Sequence, residues 1–228
     1  MTGLLISVRN KAEAKTVLAA CPELDILDIK EPDSGALGAA SPQIWREIGE
    51  ASLNQTSLSI ALGEINDVQI NDLTLLPSVT RYVKVGLANQ RSLDWVLAWR
   101  AIRVLVDDSI ELVGVIYADH EAAHSPPPRV IIDALFAEGC RTFLLDTFEK
   151  DGKTLFDHLP TDFIQELMKS TPEATFVLAG SLTESTLNNA KILQADYVGV
   201  RGAVCSGNRT NSICPDKSKQ LFELVKAS

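Results

Sequence analysis

Metal and disulfide chemistry have little to build on in this chain. Its three histidines, His120, His124 and His158, fall at no zinc-ligand spacing, and the two that stand four apart run into the loop sequence Ser125-Pro126-Pro127-Pro128. Cys21, Cys140, Cys205 and Cys214 are scattered without a C-x-x-C pair, as expected of reduced thiols in a cytoplasmic protein. No apolar run approaches the ~18–20 residues that span a bilayer. Met1-Thr2-Gly3-Leu4 leads into a strand pattern and lacks the basic n-region of a secretory signal. Positive charge is in deficit too: a net charge of −9 argues against a nucleic-acid partner, although a local lysine cluster can still attract a small anion. No glycine-rich dinucleotide fingerprint follows an early strand. The expectation is an enzyme or binder without metal, cofactor, membrane or nucleic acid.

What is present is regular alternation. Hydrophobic residues make up 46% of the 228 positions, enough for one well-filled core. Strand patterns occupy Leu4–Val8, Ile26–Lys30, Ser57–Leu62, Tyr82–Val85, Leu112–Tyr117, Thr142–Asp146, Thr175–Ala179 and Tyr197–Val200. Helical spacing covers Lys11–Ala20, Pro42–Ala51, Leu93–Ile102, Val130–Glu138, Phe163–Lys169, Glu184–Leu193 and Lys217–Lys226, with Ser41 and Pro42 as N-cap and first helical residue of the second. Gly63–Thr80 offers only a short helix near Asn71–Leu76. Eight strands alternating with helices in this length predict an α/β chain folded as a single (β/α)8 TIM barrel over residues 1–228. Trp95 and Trp99 share a helix face and are expected in the core, with a homo-oligomer contact as the alternative.

Active sites of this fold gather at the C-terminal ends of the strands, and here those ends are loaded with charge. Asp28 and Lys30 share one face of the second strand, as do Tyr82 and Lys84 on the fourth and Tyr117 and Asp119 on the fifth. Asp146 ends the sixth strand, and Lys153 follows on the next loop. An inward lysine beside Glu31-Pro32 and Gly35 is costly unless paired. It is either a salt-bridged strand terminus or a Schiff-base lysine. The second reading explains the grouping: the nucleophile must be the neutral amine, an unperturbed lysine has a pKa near ~10.4, and burial and a second ammonium both lower it. Lys30 is then the nucleophile and Lys84 the neighbouring cation, with Asp28, Asp146 and Lys153 in support and Asp119 at the mouth. A compensated ion-pair network is the inert alternative. Gly180-Ser181 and Arg201-Gly202 follow the last two strands, where this fold commonly cradles phosphate. The loop from Cys205 to Arg209 is expected to overhang that cradle and move.

Asp-Ile-Leu-Asp-Ile-Lys-Glu-Pro at 25–32, Lys-Val-Gly-Leu at 84–87, Leu-Leu-Asp-Thr at 144–147, Lys-Asp-Gly-Lys-Thr-Leu-Phe-Asp at 150–157, Leu-Ala-Gly-Ser at 178–181 and Val-Gly-Val-Arg-Gly-Ala at 198–203 stand in order along nearly the whole chain. Together they resemble the (5-formylfuran-3-yl)methyl phosphate synthases, also called 4-(hydroxymethyl)-2-furancarboxaldehyde-phosphate synthases, of methanofuran biosynthesis. The resemblance implies a TIM-barrel lyase condensing two glyceraldehyde 3-phosphate molecules into a furan aldehyde phosphate. It matches Lys30 to the Schiff-base lysine, Lys84 to a proton-transferring lysine, and Asp28, Asp146 and Lys153 to supporting positions. Another class I aldolase, or a phosphate-binding barrel without activity, remains the alternative.

Overall fold

A computed structural model describes residues 2–227 other than Ser52, Asn54, Arg91 and Leu93. Met1 and Leu93, the predicted start of the third helix, lie outside the described residues. The strands are β1 (Gly3–Val8), β2 (Ile26–Ile29), β3 (Ser57–Glu64), β4 (Thr80–Gly86), β5 (Glu111–Tyr117), β6 (Thr142–Asp146), β7 (Thr175–Leu178) and β8 (Tyr197–Val200). Each pairs in parallel with the next, and β8 returns to β1, so the sheet closes into an eight-stranded barrel. Parallel pairing with both faces covered explains why the strands read as nearly continuous apolar runs.

The helices around it are α1 (Lys11–Ala20), α2 (Pro42–Gly49), α3 (Asp94–Leu105), α4 (Pro128–Ala137), α5 (Leu155–His158), α6 (Thr161–Ser170), α7 (Glu184–Ile192) and α8 (Pro215–Lys226). Outward residues such as Leu4, Ile6, Leu27, Ile29 and Leu58 pack beneath them with Trp45, Trp95 and Trp99, all buried. Trp95 and Trp99 are thus core residues. The inward set is smaller and layered. Leu5, Ile26, Val113, Leu144 and Val177 fill its apolar part, while the register aligns Ser7 with Asp28, Ala61 with Lys84, and Tyr117 with Asp146 towards the C-terminal ends.

Three local differences from the sequence pattern matter. β2 stops at Ile29, so Lys30 is the first residue past the strand, its N–H still bonded to Val8 O at 3.0 Å. The weak third segment forms a 3-10 helix, Ile70–Leu75, rather than an α-helix. The unforeseen α5 is one turn fixed by a capping box between Thr154 and Asp157. Among the described residues no helix is long and apolar enough to cross a membrane.

Candidate active site

A cavity of about 310 Å³ opens at the C-terminal ends of the strands. Its wall includes Ser7, Asp28, Lys30, Lys84, Asp146, Lys150, Gly180, Ser181, Gly202 and Arg209. That volume is at the small end of ligand pockets. Three ammonium groups therefore meet two carboxylates in a space walled by apolar strands.

The pairings are specific. Lys84 Nζ lies 2.6 Å from Asp28 Oδ1, an ion pair set off the hydrogen-bond direction. Ser7 Oγ donates to Asp28 Oδ2 at 2.8 Å. Lys150 Nζ donates to Asp146 Oδ1 at 2.9 Å and to Thr147 O at 2.6 Å. Lys30 alone forms no ion pair among the described residues, and its one hydrogen bond runs from Nζ to Ala36 O at 3.4 Å. Its neighbours have already spent their charges on each other.

The electrostatics follow from this arrangement. Burial pushes the Lys30 ammonium down to about 7. The carboxylates of Asp146 and Asp28 oppose the fall, while the cations of Lys150 and Lys84 deepen it. Burial alone would raise the Asp146 carboxyl, but Lys150 and Lys30 outweigh it and hold the group below the usual range. A neutral amine is therefore well populated at neutral pH beside a carboxylate that stays ionised. That is the state a lysine needs to attack a carbonyl.

Other expected residues land elsewhere. Lys153 does not line the cavity; its side chain is 62% exposed and its Nζ lies 3.6 Å from Asp151. The left-handed turn at Gly152 (φ 96°) and a bond from Lys153 N to Asp151 Oδ1 carry that side chain outward, and Lys150, three residues earlier, supplies the third ammonium. Asp119 is buried outside the cavity wall, accepting from Phe148 N at 2.7 Å and Glu149 N at 2.8 Å, so it anchors the loop after β6. Arg201 lines the cavity, yet its guanidinium is committed to Glu13 Oε2 at 2.8 Å, Ser7 O at 3.0 Å and Arg209 O at 2.6 Å.

Gly180 and Ser181 adopt φ of 84° and 53°, a consecutive left-handed turn opening into the cavity. A Cβ on Gly180 would meet Thr147 N at 3.0 Å, so the residue must stay small. Among the described residues none accepts from the Ser181 or Leu182 N–H, so both are available to an anion. Gly202 starts a 3-10 turn after the neighbouring strand β8, and it lines the same cavity. The Cys205–Arg209 loop is tied down rather than overhanging freely: Arg209 donates to Pro32 O at 2.8 Å and Gly35 O at 2.9 Å. Burial raises the Cys205 thiol, which suits a packed neighbour and not a nucleophile.

Sequence reasoning missed Ser7, Lys150 and Arg209. Lys150 was legible in part, because Asp146 and Lys150 stand four apart on one strand-to-loop turn. A further pair supports the wall. Tyr117 Oη donates to Glu64 Oε1 at 2.5 Å, Glu64 Oε2 accepts from Ala88 N at 2.8 Å, and burial pushes the Glu64 carboxyl up.

The chain is 33% identical to a (5-formylfuran-3-yl)methyl phosphate synthase of Methanococcus maripaludis strain C5, over 98% of this chain and 99% of that protein. A protein of the same name from Methanothermobacter thermautotrophicus is 31% identical, with 97% and 98% covered. Among solved structures, 3-hexulose-6-phosphate synthase from Salmonella typhimurium superposes with a TM-score of 0.63 at 17% identity, over 97% of this chain and 98% of that one. Phosphoribosyl anthranilate isomerase from Thermus thermophilus gives 0.61 at 12%, covering 99% of both; these two speak for the barrel fold alone. The family described as 4-HFC-P synthase matches residues 4–222, and the chain belongs to it.

Proposed function

We propose that this chain is a lyase that condenses two molecules of glyceraldehyde 3-phosphate into (5-formylfuran-3-yl)methyl phosphate through a Schiff base on Lys30. The name carried by its relatives supports the product. The observation that carries the chemistry is Lys30 itself: a buried amine with a pKa of about 7, left without an ion pair while both flanking lysines hold carboxylates.

In this reading the neutral Lys30 amine adds to the carbonyl of one triose phosphate, and loss of water gives an iminium ion. The iminium draws electrons from the adjacent carbon, so a base can remove its proton. Lys84, coupled through Asp28 to Ser7, and Asp146, coupled to Lys150, are the proton carriers within the cavity. The resulting enamine adds to the aldehyde of the second triose. Elimination of one phosphate, ring closure and dehydration give the furan, and hydrolysis frees Lys30. Overall, two trioses yield one furan phosphate, one inorganic phosphate and two waters. The Gly180–Leu182 turn and the Gly202 turn offer backbone amides to a phosphate, and Lys150 offers an ammonium. No step requires a metal or organic cofactor.

Sodium borohydride added with glyceraldehyde 3-phosphate should leave a stable adduct on Lys30, absent in Lys30→Ala, and the product mass should be that of the furan phosphate. Labelling on another lysine would end the Lys30 assignment. A non-aromatic product from a Lys30 adduct would point instead to a different aldolase.

A further inference from the structure

Two loops meet beside the cavity, and one side chain joins them. Arg209 lies on the loop after β8, and two of the five N–H groups of its guanidinium are spent on the carbonyls of Pro32 and Gly35. Those carbonyls belong to the turn that follows Lys30. The same turn carries Ala36 O, the hydrogen-bond partner of Lys30 Nζ, and closes on itself through Glu31 N to Gly38 O at 2.8 Å. The remaining three N–H groups of Arg209 have no acceptor among the described residues. The side chain rests against Gly202, 3.8 Å from where a Cβ there would stand, and lines the cavity with Gly180 and Ser181. Arg201 differs: two of its nitrogens are held by Glu13 and the third by a backbone carbonyl.

We infer that Arg209 is a phosphate-binding residue of this cavity that also positions Lys30, because one guanidinium holds the turn behind the amine and keeps three donors without an acceptor in a cavity that the Gly180 and Gly202 turns also line. It deepens the function proposed above and rests on that reading only for the aldehyde chemistry. A phosphate bridging the two turns would gain charge-assisted hydrogen bonds from Arg209, and in doing so would lock the Pro32–Ala36 turn against the β8 loop. Burial lowers the Arg209 guanidinium from its ordinary value, as expected of a cation awaiting an anion rather than one already paired. Arg9 provides an internal comparison. It ties the same two loops from outside the cavity, donating to Thr210 O at 2.9 Å and pairing with Glu31 at 2.5 Å and with Asp33.

The test is calorimetric titration of the full chain with inorganic phosphate, alongside borohydride trapping with glyceraldehyde 3-phosphate and with unphosphorylated glyceraldehyde. Arg209→Gln should weaken phosphate binding roughly 10–100-fold. It should also erase most of the trapping advantage of the phosphorylated aldehyde and slow trapping of glyceraldehyde, because the turn that places Ala36 O against Lys30 loses its clamp. Arg9→Gln should bind phosphate within about threefold of the parent, since it touches the loops and not the cavity. Unchanged phosphate affinity in Arg209→Gln, or an equal loss in Arg9→Gln, overturns the assignment. If Arg209→Gln does not fold, Arg209→Lys decides. A single ammonium nitrogen lacks the planar fork whose Nη1 and Nη2 reach the two carbonyls separately, so it cannot hold both and still present a donor to an anion in the same geometry. Affinity should fall about tenfold, and an unchanged value refutes the role. Absence of any adduct in the parent protein would remove the imine mechanism, and the phosphate titration would still judge Arg209.

Discussion

Lys30 has a cost in stability that its chemistry makes necessary. Its folded-state pKa of about 7 lies below the ordinary 10.5, so between those values the unfolded chain holds a proton that the folded chain does not. Stability from this group therefore rises with pH from about 7 to 10.5, and the full penalty applies below 7. Lys30→Met removes the penalty and keeps the volume. It should abolish adduct formation yet raise the unfolding free energy at pH 6.5 by roughly 2–4 kcal/mol, a gain that vanishes near pH 10. Denaturant midpoints at the two pH values check this, and a variant less stable than the parent at pH 6.5 would show that the amine is held charged. The residue scale is also where the sequence was hardest to read. Lys150 and Lys153 lie three apart on one loop, and only the turn at Gly152 decides which faces inward. Loop dihedrals have no period to betray them.

Among elements, the turn from Glu31 to Gly38 has a strict geometry. A Cβ on Gly38 would stand 2.3 Å from Glu31 O and 2.6 Å from Ser34 Cβ, and Glu31 O, a backbone atom, has no flexible tip to swing away. Gly35, by contrast, has open space around it and needs glycine only for its φ of 101°. Gly38→Ala should cost roughly 2–4 kcal/mol and displace the Ala36 carbonyl from Lys30, whereas Gly35→Ala should cost about 1 kcal/mol. Thermal unfolding of the two variants compares them; equal losses would mean the turn rearranges freely. The strands and long helices were legible because apolar spacing repeats over enough residues to be seen: α1, β6 and β8 begin and end where that spacing does. The four-residue α5 is too short to show a helical period and is fixed instead by the Thr154–Asp157 capping box. The 3-10 turn at Ile70–Leu75 was visible only as a weak helix, since three residues per turn match neither template well.

For the whole molecule, the barrel gathers positive charge against a chain whose net charge is −9. Closure of the sheet brings the C-terminal ends of β2, β4 and β6 together, so Lys30 just past β2, Lys84 in β4 and Lys150 on the loop after β6 share one cavity with only Asp28 and Asp146, while Arg209 adds a fourth cation at the rim. Arg201 does not add to the imbalance, because Glu13 offsets it at 2.8 Å. Folding therefore compresses unbalanced cations in a poorly solvated space, and an anion that enters relieves their repulsion. Any ligand that binds only the folded state raises its stability, by about 2.7 kcal/mol at one hundred times the dissociation constant. For a chain of this size each kcal/mol moves the melting temperature by roughly 2–4 °C. Saturating inorganic phosphate should then raise Tm by about 5–10 °C over sodium chloride of the same ionic strength and pH. Matching ionic strength holds general screening of the acidic surface constant, so the difference reports the cavity. Identical melting in the two salts would mean that the converging cations hold no phosphate.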